Sequence, residues 1–122
     1  MKKKDNYFYG RWGREITAET VLGQVKKTID PKQGYLVVED GARFMGSRLK
    51  EEVIKNLLSW GVDVKTTKKP LPTPIAVLEG RERGLGTIVI TAGSSPSMIT
   101  GFKVFNEKGE PQLENKATNI DP

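Results

Sequence analysis

Ser94, Ser95 and Ser97 sit in the run Thr91-Ala92-Gly93-Ser94-Ser95-Pro96-Ser97, and Lys103 follows shortly after. Small residues leave backbone amides open to a ligand, hydroxyls donate hydrogen bonds, and a lysine adds a point charge. This is the chemistry of an anion site. Two arginines, Arg43 and Arg14, can add charge and forked donors to it. The same loop can equally be a polar turn that binds water. The chain has neither cysteine nor histidine. Thiolate nucleophiles, imidazole bases, disulfides and Cys/His zinc sites are therefore excluded.

The loop needs a platform. Thr87 to Thr91 is β-branched without a polar face, the pattern of a strand buried on both sides. Phe102, Val104 and Phe105 restart a strand after the loop, with Lys103 on the opposite face. In open α/β sheets, ligands bind where loops leave the carboxyl ends of such strands.

Upstream, Tyr7 to Arg14 is aromatic and rich in glycine, and its rings anchor it to the domain. Thr17 caps a helix by accepting from the amides of Glu19 and Thr20, and Ile16 and Val21 have hydrophobic-staple spacing. Ala18, Val21, Leu22, Val25 and Ile29 form its apolar stripe, with Lys26 and Lys27 near its negative end. Asp30-Pro31 and Gly34 stop it. Tyr35 to Glu39 reads as a strand and Asp40 to Gly46 as its loop. Ser47 caps a second helix that carries Leu49, Val53, Ile54, Leu57, Leu58 and Trp60 inward. Gly61 ends that helix, and Val62 to Lys65 is a short strand. Strand, helix and strand with short links make a βαβ unit with a parallel pair. Pro70, Pro72 and Pro74 extend the next stretch. Thr73 then caps a third helix with Ile75, Ala76 and Leu78 buried, and Gly80 and Gly84 weaken or end it. Asn106 to Gly109 is a turn.

A chain of 122 residues holds one core. Hydrophobic residues at 36% and charged residues at 29% describe a globular protein, and no apolar run is long enough to span a bilayer. The basic start, Lys2-Lys3-Lys4, leads into Tyr7-Phe8-Tyr9 rather than a long apolar core, so it is not read as a signal peptide. The net charge of +5 raises nucleic acid as a partner. The lysines are scattered, acids alternate with them, and no aromatic RNA-binding motif is present, so no nucleic-acid partner is expected. Residues 1–6 are expected to form a mobile basic terminus, 7–110 the domain, and 111–122 a polar tail.

Five segments, in order, resemble the α-D-phosphohexomutases, the phosphoglucomutase/phosphomannomutase family. Tyr9-Gly10-Arg11-Trp12-Gly13-Arg14 is similar to the family's Phe-Gly-Thr-x-Gly-x-Arg-Gly opening. Ile16-Thr17-Ala18-Glu19 resembles Leu-Thr-Pro-Glu. Val37 to Arg43 resembles Val-Val-Gly-x-Asp-x-Arg, and Leu71-Pro72-Thr73-Pro74 resembles the Pro-Thr-Pro segment. Thr91 to Pro96, followed by Gly101-Phe102-Lys103, resembles the phosphoserine loop Thr-Ala-Ser-His-Asn-Pro and its Asn-Gly-Tyr/Phe-Lys sequel. The resemblance runs from about Phe8 to Gly109. It implies the family's first domain, a three-layer αβα sandwich whose mixed, mostly parallel sheet has four strands and helices on both faces.

The departures shape the functional expectation. In the family, a phosphorylated serine passes its phosphoryl group to a hexose phosphate. Here Gly93 stands at that position and has no side chain to carry one. Ser94 and Ser95 stand where the family has histidine and asparagine. Gly41 falls at the family's aspartate, and Arg14-Glu15 reduces its arginine-glycine pair. Arg43 and Lys103 match residues that sit near the phosphoryl group in the family. The magnesium motif Asp-Gly-Asp-x-Asp-Arg of the family's second domain is not among these residues. Phosphoryl transfer rests on positioning and metal-assisted charge stabilisation. The expectation is therefore a catalytically inactive, cytoplasmic binding or oligomerising module with no metal or cofactor. Its expected partners are a second copy or another protein, with weak binding of phosphate or hexose phosphate, and no membrane. The alternative is one subunit of a split mutase, phosphorylated at Ser94 or Ser95.

Overall fold

The computed structural model describes residues 2–4, 6–11, 13, 15–41, 44–92 and 99–112, with the side chains of 44–47, 92 and 99 outside the description. In chain order the elements are β1 (Lys2–Lys4), β2 (Tyr7–Arg11), α1 (Ala18–Thr28), β3 (Tyr35–Glu39), α2 (Phe44–Ser59), β4 (Val64–Thr66), α3 (Thr73–Glu82), β5 (Gly86–Ala92) and β6 (Ile99–Phe105).

One sheet runs in the order β1-β2-β6-β5-β3-β4. β3 pairs in parallel with β4 and with β5, through Tyr35↔Val64 and Tyr35↔Gly86. The pairs β1-β2, β2-β6 and β5-β6 are antiparallel. The four-stranded, mostly parallel sheet expected above is thus corrected, among the described residues, to a mixed sheet of six strands with an antiparallel half. The physical reason lies in Tyr7-Phe8-Tyr9-Gly10-Arg11. Its alternate residues give it a period of two, and it pairs along β6, from Tyr7↔Lys103 to Arg11↔Ile99. Lys2–Lys4 then folds back on it as an exposed strand rather than trailing free. Asn6, in the link, is buried and donates from Nδ2 to the Val104 carbonyl at 2.8 Å.

Helices lie on both faces. α1 and α2 bury Val21, Val25, Leu49, Val53 and Leu57 against Phe8, Val37, Ile88, Ile90, Phe102 and Val104. On the other face, Ala76 of α3 meets Leu36, Val38 and Val89. Strand alternation decides this split, because Val37 and Ile88 point one way and Leu36 and Val89 the other.

Thr17 caps α1 as its spacing predicts. Its hydroxyl accepts from the Thr20 amide at 3.2 Å, and Thr20 Oγ1 accepts from the Thr17 amide at 2.8 Å. Ile16 and Val21, the staple pair, are both fully buried. α2 begins at Phe44, so Ser47 lies inside the helix rather than before it. For α3, Pro72 is the cap residue, without a side-chain hydrogen bond, and Thr73 is already helical. The expected inner sides of α2 and α3 are also corrected. Leu58 of α2 is exposed rather than inward. In α3, Ala76 is buried, but Ile75 and Leu78 are 50% and 52% exposed. Helical spacing brings Gly80, four residues after Ala76, down onto the sheet instead. Gly80 does not end the helix. Gly84, at φ 71°, takes the left-handed conformation beyond it.

Tyr35 is fully buried, and its hydroxyl accepts from the Asp30 amide at 2.9 Å and donates to Gln112 Oε1 at 3.1 Å. Burial pushes the phenol above its ordinary pKa, and the bonds to Asp30 and Gln112 partly oppose that rise. Gln112 also donates from Nε2 to the Thr28 carbonyl at 2.9 Å, and Pro111 bridges to Phe105. The first two residues of the expected tail are therefore fastened to the body, while Leu113 to Pro122 lie outside the described residues.

Candidate functional site

The carboxyl ends of the parallel strands β3 and β5 open to the same side of the sheet, at Glu39 and Ala92. The Gly93–Met98 segment leaves from Ala92, and Asp40-Gly41 leaves from Glu39 on the neighbouring strand. This is the sheet end where a doubly wound topology places a ligand.

Of the six predicted anion-site residues, Ser94, Ser95, Ser97, Arg43 and Arg14 lie outside the described residues, as does Gly93. Lys103 is described. It is half-buried in β6, where it pairs with Val89 on one side and Tyr7 on the other. That register sets it four residues into the strand, roughly 14 Å along it from Ile99. Its ammonium stands 5.2 Å from the centroid of the Tyr7 ring, a cation–π distance.

Sequence reasoning missed the surroundings of Lys103. Tyr7 stacks on Tyr9 with ring centroids 4.8 Å apart and an interplanar angle of 18°. Tyr7 Oη lies 3.1 Å from Thr91 Oγ1, tying the stack to the end of β5 just before the serine loop. The available signal was the period of two in Tyr7-x-Tyr9-x-Arg11. Gly101 is required beneath them, because a Cβ there would lie 2.7 Å from Tyr7 Cε1, 2.9 Å from Tyr9 Cβ and against the Phe8 carbonyl.

A second polar group lies at the end of β3. Glu39 is buried, and Lys50 of α2 places Nζ 4.0 Å from Glu39 Oε1 while donating to the Thr67 carbonyl at 3.1 Å. The Glu39 carbonyl accepts from the Leu71 amide at 2.9 Å. The pair fastens α2 and the Thr67–Leu71 stretch to the sheet. A groove of about 260 Å³ lies between α3 and β4, lined among others by Leu36, Lys65, Leu71, Ile75 and Arg83. Among the described residues, no group of three or more acidic side chains could hold a metal ion. Nor is any described helix long and apolar enough to cross a membrane.

The sequence profile described as phosphoglucomutase/phosphomannomutase, alpha/beta/alpha domain I, matches residues 11–121. The chain belongs to this family, as its domain I. The fold agrees with a crystal structure from Thermus thermophilus assigned as a phosphomannomutase. Over 90% of this chain the two superpose with a TM-score of 0.74 at 25% identity, and the match spans 26% of that protein. The chain therefore corresponds to about a quarter of that relative. No curated protein matches in sequence. Within domain I, the resemblance puts Gly93 at the phosphoserine position and Lys103 at the lysine of the sequel.

Proposed function

We propose that this domain I works by binding, as an oligomerising or partner-binding module related to hexose phosphate metabolism, and does not carry a phosphoryl group itself. One observation carries the reading: Gly93 stands where the family has its phosphoserine, and glycine offers no oxygen for a phosphoryl ester. The neighbouring Ser94 is a poor substitute. Consecutive Cα atoms are about 3.8 Å apart, and neighbouring side chains generally leave the backbone in different directions. A shift of even about 1 Å at a reacting atom can cost on the order of a hundredfold in rate.

The exposed Ile75 and Leu78 support the partner side of this reading. They sit one turn apart on α3, beside the groove. A second copy of the chain meeting α3 with its own α3 removes both from water in a twofold arrangement. The serine loop, with Lys103 and Arg43, is read as a weak site for phosphate or hexose phosphate.

The test is a mutase assay with hexose 1- and 6-phosphates, together with intact mass after incubation with a hexose bisphosphate. The expected result is no turnover and an unchanged mass. A gain of one phosphoryl group on the peptide holding residues 93–98 overturns the reading. It would favour a split mutase that uses Ser94 or Ser95, the two hydroxyls next to the lost position.

A further inference from the structure

On one face β2 and β6 bury Phe8, Phe102 and Val104 in the core with α1, and β1 extends them at the edge; no described helix covers the other face of these three antiparallel strands, because α3 packs on β5 and β3. Directly paired residues share a face. The register therefore sets Lys4, Tyr7 and Lys103 in one row on the open side, and Lys2, Tyr9 and Gly101 in the next. Arg11 follows Tyr9 on the same side by alternation. Lys2, Lys4 and Arg11 are exposed, and Tyr7, Tyr9 and Lys103 are half-buried. None of the three strands contains an aspartate or glutamate. Glu15, beyond the end of β2, accepts from the Arg11 amide at 3.2 Å. Four cations thus surround a two-ring tyrosine stack on an open sheet face. Lys2, Lys4 and Arg11 lie within the first eleven residues, and the pairing of β2 with β6 brings Lys103 beside them.

We propose that this face binds single-stranded nucleic acid. A cationic surface that tracks phosphates, interleaved with aromatic rings on which bases stack, is the footprint of sequence-tolerant single-strand binding. The dimensions suit a few nucleotides: about 10 Å from β1 to β6 and about 13 Å along β2. A base that joins the Tyr7–Tyr9 stack extends it by one ring, with Lys2, Lys4, Arg11 and Lys103 in reach of the flanking phosphates. An acidic peptide fits less well. The described groove that could take its side chains lies on the far side of α3, and the edge strand beside this face, β1, offers only three residues for strand addition.

The experiment is fluorescence anisotropy of the whole chain with labelled single-stranded RNA and DNA of about ten nucleotides, a duplex of the same length, and polyglutamate of matched charge. The proposal expects both single strands to bind more tightly than the duplex. With four cations engaged, log K should fall against log salt with a slope of about −2.8, and Lys103→Gln should lower that slope by about 0.7. Tyr9→Ala should weaken single-strand binding about tenfold at unchanged slope, while Tyr9→Phe keeps it. The exposed pair Lys2→Gln and Lys4→Gln, which bury nothing, should lower the slope by about 1.4 even if a tyrosine variant misfolds. No binding at low salt overturns the proposal. Polyglutamate bound as tightly as the oligonucleotides, or Tyr9→Ala without effect in a folded variant, also overturns it and marks the face as one for acidic proteins.

Discussion

Gly80, inside α3, rests directly on Thr87 of β5. A methyl group added at Gly80 would press on Thr87 Oγ1 and lie 3.0 Å from the Leu85 carbonyl. The hydroxyl it would displace points at the Ala76 carbonyl, 3.5 Å away. Ala76 and Gly80 are therefore the contact line by which α3 reaches the sheet.

An alanine in place of glycine inside a helix ordinarily stabilises by about 1 kcal/mol. At Gly80 the sign should reverse, because overpacking against backbone costs about 1–3 kcal/mol. Gly80→Ala is expected to lower the urea midpoint. Gly23, exposed in α1 with nothing within 4 Å of its Cβ position, gives the control: Gly23→Ala should raise it.

Tyr35 makes a pH prediction. Its folded pKa is raised above 10.0 by burial, so the unfolded chain loses the phenolic proton first. The stability Tyr35 contributes is then intact below about pH 10 and falls as the pH rises above it. Tyr35→Phe removes the bonds to Asp30 and Gln112 and should cost about 1–2 kcal/mol near neutrality. Denaturant melts should show this gap constant to about pH 10 and narrowing above it.

The reciprocal bonds of Thr17 and Thr20 fix the start of α1. Thr17→Ala is expected to cost about 1 kcal/mol, and Thr17→Asp should restore most of it. Thermal unfolding by circular dichroism reads both.

Ile75 and Leu78 contribute little to the folded single chain, since half of each is in water. The double change to serine should shift stability by about 0.5 kcal/mol or less. If two copies meet through α3, the same change should convert the dimer to monomer in sedimentation velocity. A wild-type chain that sediments as monomer at high concentration would contradict that association.

The parallel half of this fold was legible in the sequence; of the antiparallel half, β6 was legible at Phe102 to Phe105, but β1, β2 and the antiparallel pairing were not. Tyr35–Glu39 was read at its true bounds, because five residues that all end up buried, set between Gly34 and Asp40, leave little choice. The capping chemistry of Thr17 is local, and it too could be read directly. Three features hid because each depends on what lies across the sheet. Lys2-Lys3-Lys4 has the composition of a loose terminus, and only pairing with Tyr7–Tyr9 makes it a strand. Ile75 and Leu78 carry apolar side chains, yet the close approach of Gly80 to Thr87 turns the helix so that a small residue faces the sheet. The Tyr7–Tyr9 stack needs Gly101, nearly the length of the chain away. Of the predicted anion site, Lys103 alone falls within the described residues, and its neighbour across the sheet is an aromatic ring.

The outermost strands of the sheet, β1 and β4, span three residues each, and each carries lysine. Any other chain that tried to zip onto either margin would gain only a few backbone bonds and would meet ammonium groups at the cross-strand positions. Growth into ribbons or fibres is thereby discouraged at both ends. Encounters between copies are left to the flat sides of the molecule, where they can be few, specific and reversible.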